Sequence, residues 1–112
     1  MLIMSDITDL TDTLKKFRDD RDWSQFHNPK DLAIAISVEA GELLQEFLWK
    51  DADNADQAKV KNELADILAF CLLLADKYNL DVKDLVLQKI KANGEKYPVD
   101  KSKGSAKKYN EL

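Results

Sequence analysis

The sequence predicts an all-α protein, a four-helix bundle-like subunit, on three observations. Only three glycines and two prolines punctuate 112 residues, too few for the turns that many short strands require. Apolar residues recur at spacings of three and four rather than alternating. The breaks between apolar stretches carry residues that cap helices, such as Asn28-Pro29 and Asp81.

The first helix is expected over residues 5–20, with Ser5 as N-cap and Ile7, Leu10, Leu14 and Phe17 forming one apolar stripe. Residues 21–28 hold Trp23, Phe26 and His27 without helical periodicity and read as a loop. Asn28 followed by proline at the first helical position, with Asp31 in the first turn, opens a second helix to about Lys50. The polar residues 51–56 can cap a third helix ending near Tyr78, where Asn79 suits a C-terminus. Asp81 with Asp84 resembles a capping box that opens a fourth helix to about Glu95, closed by Tyr97-Pro98. The remaining tail, about residues 99–112, carries Lys101, Lys103, Lys107 and Lys108, and is either disordered or ordered by something anionic.

The length suits one domain spanning residues 1–112. Hydrophobic residues at 45% and charged residues at 34% fit a globular chain. A formal net charge of −4 gives no reason to expect a nucleic-acid partner. No basic region followed by an apolar run marks a signal peptide, and the longest apolar stretch, residues 64–75, is too short and too charged for a bilayer. The expectation is a cytoplasmic protein without a membrane partner. The lone Cys71, within Phe70-Cys71-Leu72-Leu73, reads as a small buried hydrophobe.

Chemistry concentrates on the second and third helices. Glu39, Glu42 and Glu46 fall within about 60° of one another on a helical wheel, on a helix otherwise so apolar that it should be buried nearly all round. Glu63 and Asp66 repeat the three-residue step, and Asp66 is the only polar residue between Leu64 and Ala75, which predicts a desolvated carboxylate. An unpaired ionised carboxylate in an apolar interior costs several kcal/mol or more. Two such pairs on neighbouring helices should therefore raise each other's pKa or hold a divalent cation. Oxygen ligands without His or Cys favour magnesium, with manganese as a substitute.

A di-iron carboxylate bundle needs Glu-x-x-His pairs, and the sole His27 follows no Glu by three. An EF-hand beginning at Asp51 would place Asp56 where its glycine belongs and Asn62 at its twelfth position. Both designs are excluded.

On the fourth helix Lys89, Asn93 and Lys96 share a face. Two readings stand: a grip on phosphate oxygens, or a solvated helix end whose lysines complement the dipole. Trp23, Phe26 and His27 precede the second helix, and Phe47 and Trp49 end it. The tryptophans are the better candidates for stacking on a base, the phenylalanines for packing, and His27 for a structural hydrogen bond.

Together, Glu39-Ala40-Gly41-Glu42, Glu63-Leu64-Ala65-Asp66, Lys89-Ile90-Lys91-Ala92-Asn93 and Lys96-Tyr97-Pro98 resemble the MazG-like all-alpha nucleoside triphosphate pyrophosphohydrolases, particularly their short dCTP pyrophosphatase-like branch. Arg21-Asp22-Trp23 and Phe26-His27 extend the likeness to most of the chain. The resemblance implies hydrolysis of a nucleoside triphosphate to monophosphate and pyrophosphate, with magnesium on Glu39, Glu42, Glu63 and Asp66, and Glu39 or Glu42 as base. It also implies a base pocket near Trp23, Trp49 and Phe70, phosphate contacts from Lys89, Asn93, Lys96 and the tail, and a homodimer or homotetramer. Phe70 stands where some relatives are expected to carry Tyr. Glu46 stays outside the ligand set. A non-enzymatic helical oligomerisation module would use the same apolar helices but leaves the second pair of carboxylates without a purpose. dUTP or a damaged purine triphosphate would fit the same chemistry as dCTP.

Overall fold

Four long helices and one short one make up the protein in a computed structural model that describes residues 6–112. They are α1 (Asp6–Asp20), α2 (Pro29–Gln45), α3 (Gln57–Lys77), α4 (Val82–Lys96) and α5 (Val99–Ser102), and no strand occurs among the described residues. The fold is all-α, as the sequence predicts. The expected cap Ser5 lies outside the described residues.

The starts of the helices follow from their capping residues. Asn28 Oδ1 accepts from the Asp31 backbone N–H at 2.9 Å, with Pro29 at the first helical position. Asp56 Oδ1 accepts from Ala58 and Lys59 at the head of α3, and Asp81 Oδ1 accepts from Asp84 at the head of α4. The ends of α1 and α3 share one geometry. After α1, Asp22 sits at φ 54°, the Trp23 N–H returns to the Arg18 carbonyl at 3.0 Å and the Asp22 N–H to Asp19 at 3.1 Å. After α3, Asn79 sits at φ 53°, Leu80 returns to Ala75 and Asn79 to Asp76, both at 3.0 Å. Both are Schellman ends, in which a left-handed residue lets two N–H groups satisfy the last carbonyls.

The chain falls into two compact units that meet in sequence between Leu80 and Asp81. In the first, α2 packs along α3 and α1 packs against α3, with Leu32, Leu73 and Ala75 as its buried apolar centre. Lys15 on α1 pairs with Asp76 on α3 at 3.4 Å. In the second, α4 leads through Pro98 into α5, whose Ser102 Oγ donates to the Pro98 carbonyl at 2.7 Å. The tail then turns back toward the end of α4. Tyr109 meets Tyr97 edge-to-face at 6.2 Å, and Lys96 lies 5.0 Å from the Tyr109 ring. These contacts tie the tail to Lys96 and Tyr97 at the end of α4.

Four further expectations are corrected. α2 ends at Gln45 rather than Lys50; Phe47 and Leu48 then donate to carbonyls three residues back, and Trp49 turns left-handed at φ 61°. The loop before α2 contains a 3-10 turn, Ser24–Phe26. α2 is not buried all round: Ile34, Val38 and Leu44 are exposed, as are Leu64, Leu68 and Cys71 on α3. Cys71 follows Leu64 by seven and Leu68 by three, so it belongs to the outward stripe of α3 rather than to the core.

Candidate active site

Three carboxylates converge between α2 and α3. One oxygen each from Glu39, Glu63 and Asp66 can be chosen so that all lie within 4.8 Å of one another. The three-residue step from Glu63 to Asp66 puts both on the side of α3 that meets α2, where Glu39 arrives from the opposite helix. Glu39 Oε2 and Glu63 Oε2 are sealed from solvent and have no hydrogen-bond partner. Asp66 is partly exposed, so the desolvation expected for it falls instead on Glu39 and Glu63.

Electrostatics show what this convergence costs. Burial, then the neighbouring carboxyls of Glu63 and Glu42, and the charges of Glu42 and Asp66 push the Glu39 carboxyl up to about 7. For Glu63, the proximity of the Glu39 carboxyl favours the ionised form. Burial, Glu42 and Asp66 oppose it and prevail, so its pKa is also raised. Glu42 is exposed at the edge of the trio, close enough to act on both. A divalent cation fits this arrangement: it would give the two orphaned oxygens a partner and reverse the repulsion that holds protons on the cluster. The all-oxygen donor set suits a hard ion such as magnesium.

Beside the trio lies a cavity of about 240 Å³. Asp66 lines it and so belongs to both features; Trp23 and Phe70 line it as well. The Schellman end of α1 sets Trp23 in place, because it brings the residue after the left-handed Asp22 back over the last turn, where Trp23 meets Phe17 edge-to-face at 5.8 Å. Phe70, one turn beyond Asp66, meets the His27 ring edge-to-face at 6.3 Å.

Sequence reasoning singled out neither Arg18 nor His27 for this cavity, yet both line it. His27 Nδ1 is buried without a partner, so the structural hydrogen bond expected of His27 is not made through that atom. Burial first, then the charges of Arg18 and Lys77, lower its pKa and keep the imidazole neutral. A signal for Arg18 was present: it follows Leu14 by four and so continues the apolar stripe of α1.

Other residues stand apart. Trp49 is 94% exposed and is not among the residues lining this cavity. Phe47 lines a separate hollow with Val60, and Phe26 is exposed. Lys89, Asn93 and Lys96 are exposed on α4, in the second unit. Glu46 is half-buried and is not part of the trio.

Comparison with known proteins decides the family. The sequence profile of the MazG-like family matches residues 34–112, well over half of the chain. The chain belongs to the MazG-like family. Among MazG-like relatives it is similar to dCTP pyrophosphatase 1 of Rattus norvegicus, 39% identical over 105 residues, and to dCTP pyrophosphatase 1 of Homo sapiens, 36% identical. Each alignment covers 87% of this chain and 62% of the relative, so the chain spans less than two thirds of their length. Its fold is similar to the crystal structure of a pyrophosphatase from Archaeoglobus fulgidus, with a TM-score of 0.79 and 34% identity. That match covers 88% of this chain and 97% of the other.

Proposed function

We propose that this MazG-like chain is a magnesium-dependent nucleoside triphosphate pyrophosphohydrolase, cleaving between the α and β phosphates to release a monophosphate and pyrophosphate. One observation carries the reading: Glu39 and Glu63, each with a solvent-sealed, unpartnered carboxylate oxygen, cluster with Asp66, which also lines a cavity with aromatic walls. The trio would hold the ion and the cavity the base, which puts triphosphate and nucleoside on adjoining surfaces.

Glu39, Glu63 and Asp66 would hold the ion, with Glu42 completing the set from the edge. Magnesium held there would supply Lewis acidity, lowering the pKa of water and offsetting charge on a departing pyrophosphate. The chain's own residues do the rest. Glu42, exposed and outside the trio, would accept a proton from an attacking water. Glu39 is the alternative base. Trp23 and Phe70 offer ring faces to a base. Trp49, exposed where it stands, is available to a substrate or to a neighbouring copy. Lys89, Asn93 and Lys96 are assigned to phosphate oxygens on the family resemblance alone.

For the substrate we favour dCTP or a modified pyrimidine deoxynucleoside triphosphate, following the names of the relatives, with cleansing of the nucleotide pool as the role. The exposed stripes on α2 and α3 favour a homodimer or homotetramer, because a monomer would leave both in water. No helix among the described residues is long and apolar enough to cross a membrane, in keeping with a cytoplasmic location.

The test incubates purified protein and magnesium with a panel of standard and modified nucleoside triphosphates and identifies products by chromatography. Monophosphate with pyrophosphate is expected. Diphosphate with inorganic phosphate would overturn the cleavage position, and an unreacted panel would overturn the activity.

A further inference from the structure

Arg18 is the only buried charged residue among those described, at 7% exposure. It lines the cavity with Trp23, His27, Phe70 and Asp66. A guanidinium stays protonated and presents five N–H donors in a rigid plane. Only its Nε has a protein acceptor, Asp19 Oδ1 at 2.8 Å, and the Asp19 side chain is 56% exposed. Such a pair is too solvated to explain why a cation is buried. Among the described residues no acceptor takes the two Nη groups, yet neither is sealed against apolar side chains. Both therefore keep some contact with solvent, on a residue that lines the cavity.

The shape of that volume limits what can meet them. Its other walls include Leu14, Phe17 and Leu73, which suit a flat, weakly hydrated ring better than a phosphate that would have to shed its water. Burial favours the neutral form of His27 there, so Arg18 is the permanent positive charge on the wall, with the carboxyl of Asp66 on the same lining. With Nε engaged, the Nη1 and Nη2 edge offers two parallel donors side by side. Among the pyrimidines cytosine alone has the complementary edge, with ring N3 and exocyclic O2 as adjacent acceptors; O6 and N7 of guanine offer a second such pair. Uracil and thymine carry N–H at position 3, which would set donor against donor. Adenine pairs one acceptor with a donor.

We propose that Arg18 is a specificity-determining residue: its Nη edge donates to N3 and O2 of a cytosine held against the aromatic walls, selecting cytosine triphosphates over those of uracil and thymine. A methyl group at cytosine C5 leaves that edge unchanged, so 5-methylcytosine is accepted on the same terms. The assignment rests on the triphosphate hydrolysis proposed above.

The experiment measures kcat/KM for pyrophosphate release from dCTP, dUTP and 3-deaza-dCTP, in which C–H replaces N3, with the wild-type protein, Arg18→Lys and Arg18→Met. Wild type should favour dCTP over both others by about 10- to 100-fold, the worth of a bidentate base contact. Both variants should bring the ratios toward unity, since a lysine offers a point charge in place of the fork. A purely structural arginine would lower all three rates together and leave the ratios unchanged, which overturns the assignment. Should the variants fail to fold, the wild type alone decides: equal turnover of dCTP and 3-deaza-dCTP overturns it. Turnover without base preference sinks only the role of Arg18; no turnover of any triphosphate sinks the hydrolase reading and this one with it.

Discussion

The carboxylate trio and the aromatic cavity adjoin through Asp66 but were built by opposite means. The trio crowds like charges until protons are retained at Glu39. The cavity isolates a single cation, Arg18, among apolar walls and leaves its Nη groups unanswered. One region needs positive charge from outside, the other needs acceptors. The nucleoside triphosphate proposed above, with its counter-ion, would meet both demands, which neither region alone would specify.

Variants on each side should separate the two. The largest effect is expected on the trio: Glu63→Gln or Asp66→Asn should lower turnover by about 10²-fold or more with circular dichroism unchanged. Near-normal activity in both purified proteins would remove the metal assignment. Magnesium at a hundred times its dissociation constant should stabilise the wild type by about 2.7 kcal/mol in a melting experiment, an effect that Glu63→Gln loses and Phe70→Ala keeps. Loss in both variants would mean that the two regions do not act separately.

Protonation sharpens the same contrast. Glu39 titrates near 7 in the fold against 4.5 in a free side chain. Between those values the folded state binds more protons than the unfolded one. Metal-free stability contributed by this group is therefore complete at low pH and falls as pH rises from about 4.5 through 7. Magnesium affinity should move the other way, weakening as pH drops below 7. Melting curves with chelator and with magnesium should converge at acidic pH; parallel curves would contradict the link. On the cavity side, Phe70→Ala should raise KM by an amount equivalent to about 1 to 3 kcal/mol if it carries a stacked base. The smallest change is expected from Asp22→Val, which places a β-branched residue at φ 54°. It should cost about 1 to 2 kcal/mol of stability and should disturb Trp23 fluorescence without altering magnesium binding.

The trio was legible in the sequence because each helix announces its own pair: the three-residue steps from Glu39 to Glu42 and from Glu63 to Asp66 need no tertiary information. How the burden of burial is shared among them was not legible, since it depends on how α2 meets α3; Asp66, alone in its apolar stretch, proved less enclosed than Glu39. The cavity was harder to read. It joins α1, the turn after it and α3, and Arg18 lies in a run with Lys15, Lys16, Asp19 and Asp20 that reads as solvated. The end of α2 was misplaced because Phe47 and Trp49 continue an apolar spacing, while the left-handed turn at Trp49 has no glycine to announce it. Asn79, a residue that tolerates that conformation, did mark the end of α3.

The two orphaned oxygens give the site the character of an ion exchanger. A cluster that retains a proton near neutrality must release it when a cation binds, so occupancy would be set by a competition between hydrogen ions and magnesium. Near pH 7, modest acidification would displace the cation as surely as a fall in its concentration. The same two carboxylates would then register both the acidity of their surroundings and their supply of metal.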